Sequence, residues 1–252
     1  MGTDWLIEFM WGTAKLFVNP LFYYAFFLCL VMGFRRVKRE RKDFKIRAES
    51  GYFEMQNMLP AGVVIGLILS VATIGTGIVI PFAAIIVMTA VTVLLSLTMR
   101  FRWLSAAYVI GLSVFALFFL YEQNGLEIPF LSGYIEEMDA SLIPVLAVMM
   151  GLLMVAEGIL IRRNASKGTS PRIITSNRGM AVGSHYAQRL WMVPIFVFIP
   201  GGELPAPFEW WPVYGMGDIS VTPLLFPFLI GFTQHVKSEL PKHAITATGE
   251  RV

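Results

Sequence analysis

The chain has 252 residues, of which 56% are hydrophobic and 15% are charged, whereas a soluble domain is typically about 25% charged. This composition excludes an ordinary soluble domain and predicts that most of the protein surface faces lipid. The formal net charge of +3 comes from basic residues that flank long apolar runs, which argues against a nucleic-acid partner.

The basic residues predict the orientation of the chain in a membrane. Nineteen of the twenty Lys and Arg residues lie in four stretches, and Lys15 is the exception. Because membrane insertion retains the Lys and Arg residues of short loops on the cytoplasmic side, we expect all four stretches in the cytoplasm. They cover residues 35–47, 100–102, 162–189 and 237–251.

The first elements in chain order are an aromatic segment and a transmembrane helix. Residues 5–14 contain Trp5, Phe9 and Trp11, which we expect at the depth of the lipid headgroups. The apolar run that follows, 16–34, leads directly into the first basic stretch. This order predicts that the N-terminus is outside.

The next apolar run is too long for one transmembrane helix. Residues 55–99 contain no charged side chain, and 45 residues of helix would extend about 67 Å, against a hydrocarbon core of ~30 Å. We therefore predict two helices that are joined near residues 75–77 or at Pro81. Glycine permits a tight turn at the first place, and proline favours the start of a helix at the second.

The remaining apolar runs alternate with loops of opposite charge. Loops 122–140 and 203–218 contain acidic residues and no Lys or Arg, whereas loop 162–189 contains six basic residues and no acidic ones. The first two are predicted to be outside and the third cytoplasmic. The sixth run, 190–200, is short for a spanning helix, and two prolines are predicted to kink the seventh.

Together these segments predict an all-α fold. It is a polytopic integral membrane bundle of about seven transmembrane helices, with the N-terminus outside and the C-terminus in the cytoplasm. The whole chain, 1–252, is predicted to be one membrane domain. Its predicted spans are approximately 16–34, 59–75, 80–99, 103–121, 141–161, 190–200 and 219–233.

Residues 215–218, Gly-Met-Gly-Asp, match the short pattern of intramembrane aspartyl proteases. That chemistry requires two neighbouring carboxyl groups, one charged and one protonated. The other aspartates, Asp4, Asp43 and Asp139, all lie outside the predicted spans. A glycine-rich turn capped by Asp218 is therefore preferred, and a Gly-x-Gly-Asp protease stays as an alternative.

Glu157 is the ionisable residue inside a predicted span, and it suggests a second alternative, a small-molecule transporter. Burial of a charge in lipid costs about 2.5 kcal/mol or more, so such residues are often functional. Glu157 is only about one helical turn from Arg162. We favour an interfacial position or an ion pair with a basic neighbour, because a transport pathway normally contains several ionisable groups.

The sequence predicts no catalytic residue, no metal site and no cofactor. The three histidines, His185, His235 and His243, lack the spacing of a helical zinc site. Cys29 is the single cysteine, which excludes an intramolecular disulfide and a thiolate metal site.

The first basic stretch is denser than membrane orientation alone requires. Its basic residues alternate with Phe34, Val37, Phe44 and Ile46, whose spacing is close to helical. Such a segment is predicted to bind either anionic lipid or a partner protein. The basic residues of this surface are Arg35, Arg36, Lys38, Arg39, Arg41, Lys42, Lys45 and Arg47.

Three segments resemble the membrane region of MinJ-like division-site proteins. They are 19–24 (NPLFYY), 33–42 (GFRRVKRERK) and 98–104 (TMRFRWL). The resemblance implies a non-enzymatic scaffold in the plasma membrane, at cell poles and division septa. Membrane lipids are expected partners from the composition, and the resemblance implies DivIVA and MinD as partners, with MinD carrying the division inhibitor MinC. A homo-oligomer is compatible with it.

MinJ-like proteins also carry a PDZ domain after the membrane region. This sequence shows no alternating strands or peptide-clamping loop of such a domain before Val252. We expect either that a PDZ domain follows in a longer parent protein or that the chain is a shortened relative. The polar tail, 241–252, favours the first interpretation.

Overall fold

The structure is a computed structural model that describes residues 2–46, 48–122, 142–175, 179–204, 220–237 and 240–252. These residues form seven α-helices, one 3-10 helix and a three-stranded antiparallel sheet. The α-helices are α1 (Gly2–Val18), α2 (Pro20–Phe44), α3 (Phe53–Thr76), α4 (Phe82–Leu97), α5 (Ala106–Glu122), α6 (Leu142–Asn164) and α7 (Pro241–Gly249). The 3-10 helix is Phe101–Leu104, and the strands are β1 (Ser170–Thr175), β2 (Ala181–Leu204) and β3 (Val221–Val236).

Local sequence explains where the apolar helices begin and end. Asn19 separates α1 from α2, and its side-chain oxygen accepts a hydrogen bond from the Leu21 N–H at 2.9 Å. Pro20 occupies the first position of α2, where its missing N–H costs nothing. Gly77 ends α3 in the left-handed conformation with φ 65°, and Pro81 precedes α4.

Three of the described helices, α2, α3 and α6, are long and apolar enough to cross a membrane. Helix α4 and the first part of α5 are apolar but shorter. The mainly helical, membrane-embedded character predicted from the sequence is therefore confirmed. The first predicted span begins before its helix α2, because residues 16–18 belong to α1.

The prediction of helices at the sixth and seventh spans is wrong. Their described residues lie in β2 and β3, which pair antiparallel along 185–200 and 221–236. Strand β1 pairs antiparallel with the first part of β2, so the strand order is β1-β2-β3. The all-α assignment is thus corrected to a helical bundle that contains a long β-hairpin.

Proline and β-branched or aromatic residues explain why this part of the chain is extended. Residues 191–200, WMVPIFVFIP, are rich in side chains that favour strands. Pro194 lies opposite Pro227 in the ladder, at positions whose backbone groups point away from the partner strand, so no ladder hydrogen bond is lost. A strand also accounts for the shortness of the sixth segment, since about 9–11 extended residues cross a membrane.

One edge of β2 pairs with β3. The other edge pairs with β1 along its first part and is then covered by α3 and the turn that follows this helix. Ser70 Oγ accepts a hydrogen bond from the Phe196 N–H at 3.0 Å, and Thr73 Oγ1 donates to the Phe196 carbonyl at 2.6 Å. The N–H and carbonyl groups of Phe198 bond to the backbone of the α3–α4 turn at 3.0 and 2.7 Å. Since unsatisfied strand edges are costly in lipid, these bonds allow β2 to lie inside an apolar bundle.

Two glycines bring α3 and β2 into backbone contact. Gly62 and Gly66 lie one turn apart on the face of α3 toward β2. A Cβ atom at either position would overlap the carbonyl oxygen of Met192 or Pro194, respectively. The α3 face that contacts the strand therefore consists of small residues and hydroxyl residues at helical spacing.

The outer edge of β3 is covered in a similar way. Gly12 of α1 lies against the carbonyl of Pro223, and Gly231 lies against the backbone of Phe101 in the 3-10 helix. Most side chains of β3 are buried, whereas side chains on the far face of α3, such as Val71, are exposed. The hairpin is therefore the centre of the molecule, and the helices surround it.

Helix α3 and strand β2 run side by side over the same depth. Arg189 of β2 contacts Glu54 at the start of α3, and Phe198 bonds to the backbone just after the helix ends. The 24 residues of α3 rise about 36 Å, and the strand rises about 30 Å from Arg189 to Phe198. The hairpin therefore traverses the thickness of the helical bundle.

Candidate functional site

The first basic stretch has an inner and an outer face, because it continues α2 as one helix to Phe44. Arg36 is buried and Arg39 is half-buried, both on the side toward the sheet. Arg47 lies outside the described residues. The outer face consists of the exposed basic residues Arg35, Lys38, Arg41, Lys42 and Lys45.

Arg36 belongs to a buried ion network that joins α2, α3 and β2. Its guanidinium group forms an ion pair with Glu54 and donates to the Ser50 carbonyl at 3.1 Å. The second carboxylate oxygen of Glu54 accepts a hydrogen bond from Arg189 Nη1 at 2.7 Å. All three charged side chains are buried, and the Glu54 carboxylate is shared by the two guanidinium groups.

Phe53 and Glu40 complete the network. The Phe53 ring lies against both guanidinium groups, with its centroid 5.2 Å from Arg36 Cζ and 4.9 Å from Arg189 Cζ, a cation–π arrangement. Glu40 lies 3.7 Å from Arg36 Nε and accepts a hydrogen bond from Ser170 Oγ of β1 at 2.6 Å. Its other oxygen accepts from a backbone N–H of the α2–α3 loop at 2.8 Å. The end of α2 is thereby attached to the sheet.

Arg39 extends the inner face to the end of the hairpin, beyond the predicted spans. Its Cζ lies 4.7 Å from the centroid of the Tyr186 ring, which in turn lies 4.5 Å from the centroid of the His235 ring. Burial raises the pKa of Tyr186. Burial also lowers the pKa of His235, and so do the positive charges of Arg172, Arg39 and Lys237. This end of the hairpin therefore has a positive electrostatic potential.

The outer face presents its cations to solvent. Lys38 and Lys42 lie four residues apart on the helix, with Arg35 and Lys45 along the same side. Among the residues that the structure describes, no carboxylate lies within ion-pair distance of these cations. Phe34 is exposed beside them. The fold uses the inner basic residues, and the outer ones remain available for binding.

Glu157 is buried in α6 and caps another helix. Its Oε2 accepts hydrogen bonds from Ser105 Oγ at 2.7 Å and from the Ala106 N–H at 3.1 Å, at the start of α5. Such bonds satisfy backbone donors that a helix N-terminus leaves without partners. In the described part of the chain no basic residue pairs with Glu157, and the helix cap accounts for its burial. The transporter alternative gains no support from this arrangement.

The residues of the protease alternative, 215–218 with Asp218, lie outside the described residues. Asp4 lies in α1 and Asp43 lies near the end of α2. Asp139 is also outside the described residues. The Gly-x-Gly-Asp alternative therefore stays a prediction from the sequence.

Two members of the ion network, Glu54 and Arg189, were not singled out by the sequence analysis. Each is the last charged residue before a long apolar run, which is the available signal. However, membrane orientation alone already explains a charged residue at the end of an apolar run, so this signal does not predict an ion pair. The pairing of residues 135 positions apart depends on the packing of β2 along α3.

The chain is similar over its whole length to a bacterial division protein. It is 35% identical over 256 residues to the cell division topological determinant MinJ of Bacillus subtilis (strain 168). The alignment covers 100% of this chain and 63% of MinJ, so the chain spans less than two thirds of that protein. The resemblance inferred from three short segments is confirmed. No family model and no solved structure matches the chain.

Proposed function

We propose that the chain is the membrane part of a non-enzymatic scaffold for division-site selection. The observation that carries this proposal is the 35% identity to MinJ along the entire chain, and the apolar helices support a membrane location. The scaffold resides in the plasma membrane and is enriched at cell poles and septa. It links DivIVA to MinD and, through MinD, to MinC.

We assign the partner contact to the outer face of α2. The inner face of this helix is attached to the sheet through the Glu40–Ser170 hydrogen bond and the contact between Arg39 and Tyr186. The outer cations are therefore presented by a rigid support. A pre-organised surface loses little conformational entropy when a partner binds.

The length of α2 favours a protein partner over a lipid surface. Its 25 residues rise about 37 Å, more than the ~30 Å hydrocarbon core. Because the basic end continues the axis of the membrane helix, it leads away from the bilayer. A cluster of cations in that position is complementary to an acidic surface of a partner protein.

Fluorescence microscopy tests the division-site proposal. A fluorescent fusion of the chain is expressed in Bacillus subtilis cells that lack their own MinJ. We expect enrichment at septa and poles, because the chain is similar to MinJ over its whole length. Uniform membrane fluorescence would contradict the division-site role.

The same assay tests the outer face of α2. The test variant is Lys38→Gln/Lys42→Gln. The other basic residues of the stretch keep the signal for membrane orientation, so we expect the variant to insert normally. We expect it to lose its concentration at septa and to bind DivIVA or MinD at least tenfold more weakly. Arg163→Gln/Lys167→Gln is the matched control, since these residues are also exposed and four positions apart. Equal partner binding by both double variants would exclude the outer face as the contact.

A further inference from the structure

A wide cavity lies beside the hairpin at the end where the basic residues cluster. It has a volume of about 840 Å³ and is bounded by the 3-10 helix, the start of α5, the end of β3, and the helices α6 and α7. Cavities of a few hundred to about 1,000 Å³ are typical of small-molecule sites.

Two arginines supply the charge of the cavity. Arg100 and Arg102 both line it and are exposed, and within the described ranges no carboxylate forms an ion pair with either. Among the described lining residues the acidic one is Glu157. Its Oε2 accepts hydrogen bonds from Ser105 Oγ and the Ala106 N–H, and it forms no ion pair with the arginines. The guanidinium groups are therefore available to an anion.

A second group of lining residues adds positive potential. It includes His235 and Tyr186. Burial lowers the pKa of His235, and the positive charges of Arg172, Arg39 and Lys237 lower it further. An anion that enters the cavity is thus attracted by the two arginines and by the positive charges near His235.

The turn that carries the two arginines is held in a defined position. Met99 adopts the left-handed conformation with φ 54°, which is costly for a residue with a side chain. Phe101 is buried, and its backbone contacts Gly231 of β3 without an intervening side chain. These features fix Arg100 and Arg102 on one rim of the cavity.

An exposed apolar stripe begins at the same rim. Trp103 and Tyr108 line the cavity and are exposed, and both residue types favour the depth of lipid headgroups. From Tyr108 the stripe continues along α5 through Leu112, Phe115 and Phe119, which are exposed at helical spacing. The stripe leads from the cavity into the predicted hydrocarbon region.

We propose that this cavity binds the headgroup of an anionic phospholipid. The phosphate group lies at Arg100 and Arg102, whose planar donors match phosphate oxygens, and the acyl chains lie along the stripe of α5. Basic pockets between membrane helices on the cytoplasmic side suit anionic headgroups. A soluble acidic peptide would leave the stripe uncovered, and a choline headgroup would bring a cation beside the arginines.

Native mass spectrometry of the full chain in detergent tests this site. The protein is titrated with phosphatidylglycerol and with phosphatidylcholine of the same acyl chains. We expect one tightly bound phosphatidylglycerol, with about thirtyfold weaker binding in Arg100→Gln/Arg102→Gln. Arg163→Gln/Lys167→Gln removes the same charge from exposed residues that do not line the cavity and is expected to change binding less than twofold. Equal melting temperatures without lipid establish that both variants are folded.

Three results would overturn the proposal. The first is equal affinity for the two lipids, which would remove the role of the headgroup charge. The second is undiminished phosphatidylglycerol binding in Arg100→Gln/Arg102→Gln. The third is binding of glycerol 3-phosphate as tight as that of phosphatidylglycerol, which would mean that the cavity takes a soluble anion and that the stripe contributes nothing.

Discussion

Helix α3 and the β2–β3 hairpin traverse the same depth of the molecule with different backbones. Every interior N–H group of α3 is satisfied within the helix, so its far face, including Val71, is exposed without cost. Strand β2 relies on neighbours instead: β3 on one edge, and β1, Ser70, Thr73 and the α3–α4 turn on the other. The position of a spanning segment in the bundle, and not its hydropathy, therefore determines whether it can be a strand.

The interface between α3 and β2 therefore depends on particular residue types at particular positions. A helix that faces lipid tolerates any apolar side chain on its outer surface. A helix that covers a strand edge needs small residues, hydroxyl groups and a charge partner at fixed positions. The variants below test that difference in detergent solution, in order of decreasing effect.

The largest effect is expected from Glu54→Gln. The substitution leaves Arg36 and Arg189 buried without their shared carboxylate, which costs about 4 kcal/mol of unfolding free energy. Denaturant unfolding monitored by circular dichroism measures the loss. The matched control is Glu250→Gln, which breaks the exposed pair with Arg162 at 3.6 Å and is expected to cost less than about 1 kcal/mol. Similar losses in both variants would disprove the buried network.

Gly62→Leu is expected to have the next largest effect. The new side chain would overlap the carbonyl of Met192, so α3 and β2 must separate, at a cost of about 3 kcal/mol. The control is Gly75→Leu on the same helix, where nothing lies within 4 Å of an added Cβ. We expect that control to be neutral or more stable by up to about 1 kcal/mol, because leucine favours helix more than glycine does. A destabilised Gly75→Leu beside a stable Gly62→Leu would contradict the described packing.

Thr73→Val tests the cover on the strand edge. The hydroxyl of Thr73 donates to the Phe196 carbonyl, and its removal leaves that group without the bond, at a cost of about 2 kcal/mol. Thr76→Val is the control, because its hydroxyl bonds only to backbone carbonyls of the same helix, and we expect a change within about 0.5 kcal/mol. Faster amide exchange at Phe198 in Thr73→Val alone would locate the opening at this edge.

The smallest effect concerns the end of the hairpin and depends on pH. His235 has a folded-state pKa below its ordinary value of 6.5, so the folded protein favours the neutral ring. Its contribution to stability is present above about pH 6.5 and is lost as the pH falls, since protonation is easier in the unfolded chain. We expect His235→Gln to reduce the change in melting temperature between pH 7.5 and 5.5. An unchanged pH dependence in this variant would contradict the role of His235.

Much of the helical part of the fold follows from local sequence. The length of the uncharged run 55–99, Gly77 and Pro81 together predict two helices with a turn between them, and the structure has α3 and α4 there. The hairpin does not follow as directly. A short, uniformly apolar segment has no period that separates a buried strand from a buried helix. In the segment 190–200, the prolines and the length of eleven residues were the evidence for a strand.

The candidate site shows the same division. The eight basic residues of 35–47 identify a charged segment, but their division into inner and outer faces requires the sheet against which α2 packs. Glu54 and Arg189 carry no local motif, and their contact depends on the direction of β2 along α3. The cavity beside the hairpin likewise combines residues from the 3-10 helix, β3, α6 and α7.

The sequence by itself predicts the membrane character and the expected orientation of the chain. Hydropathy and charge are local properties, so each segment carries its own signal for the bilayer. Similarity to MinJ is likewise a property of the linear chain. The tertiary structure decided that the last two apolar segments pair as strands, which of the basic residues are buried, and that Glu157 caps a helix. These outcomes depend on which backbone groups and charges find partners, and such partners lie far apart in the sequence.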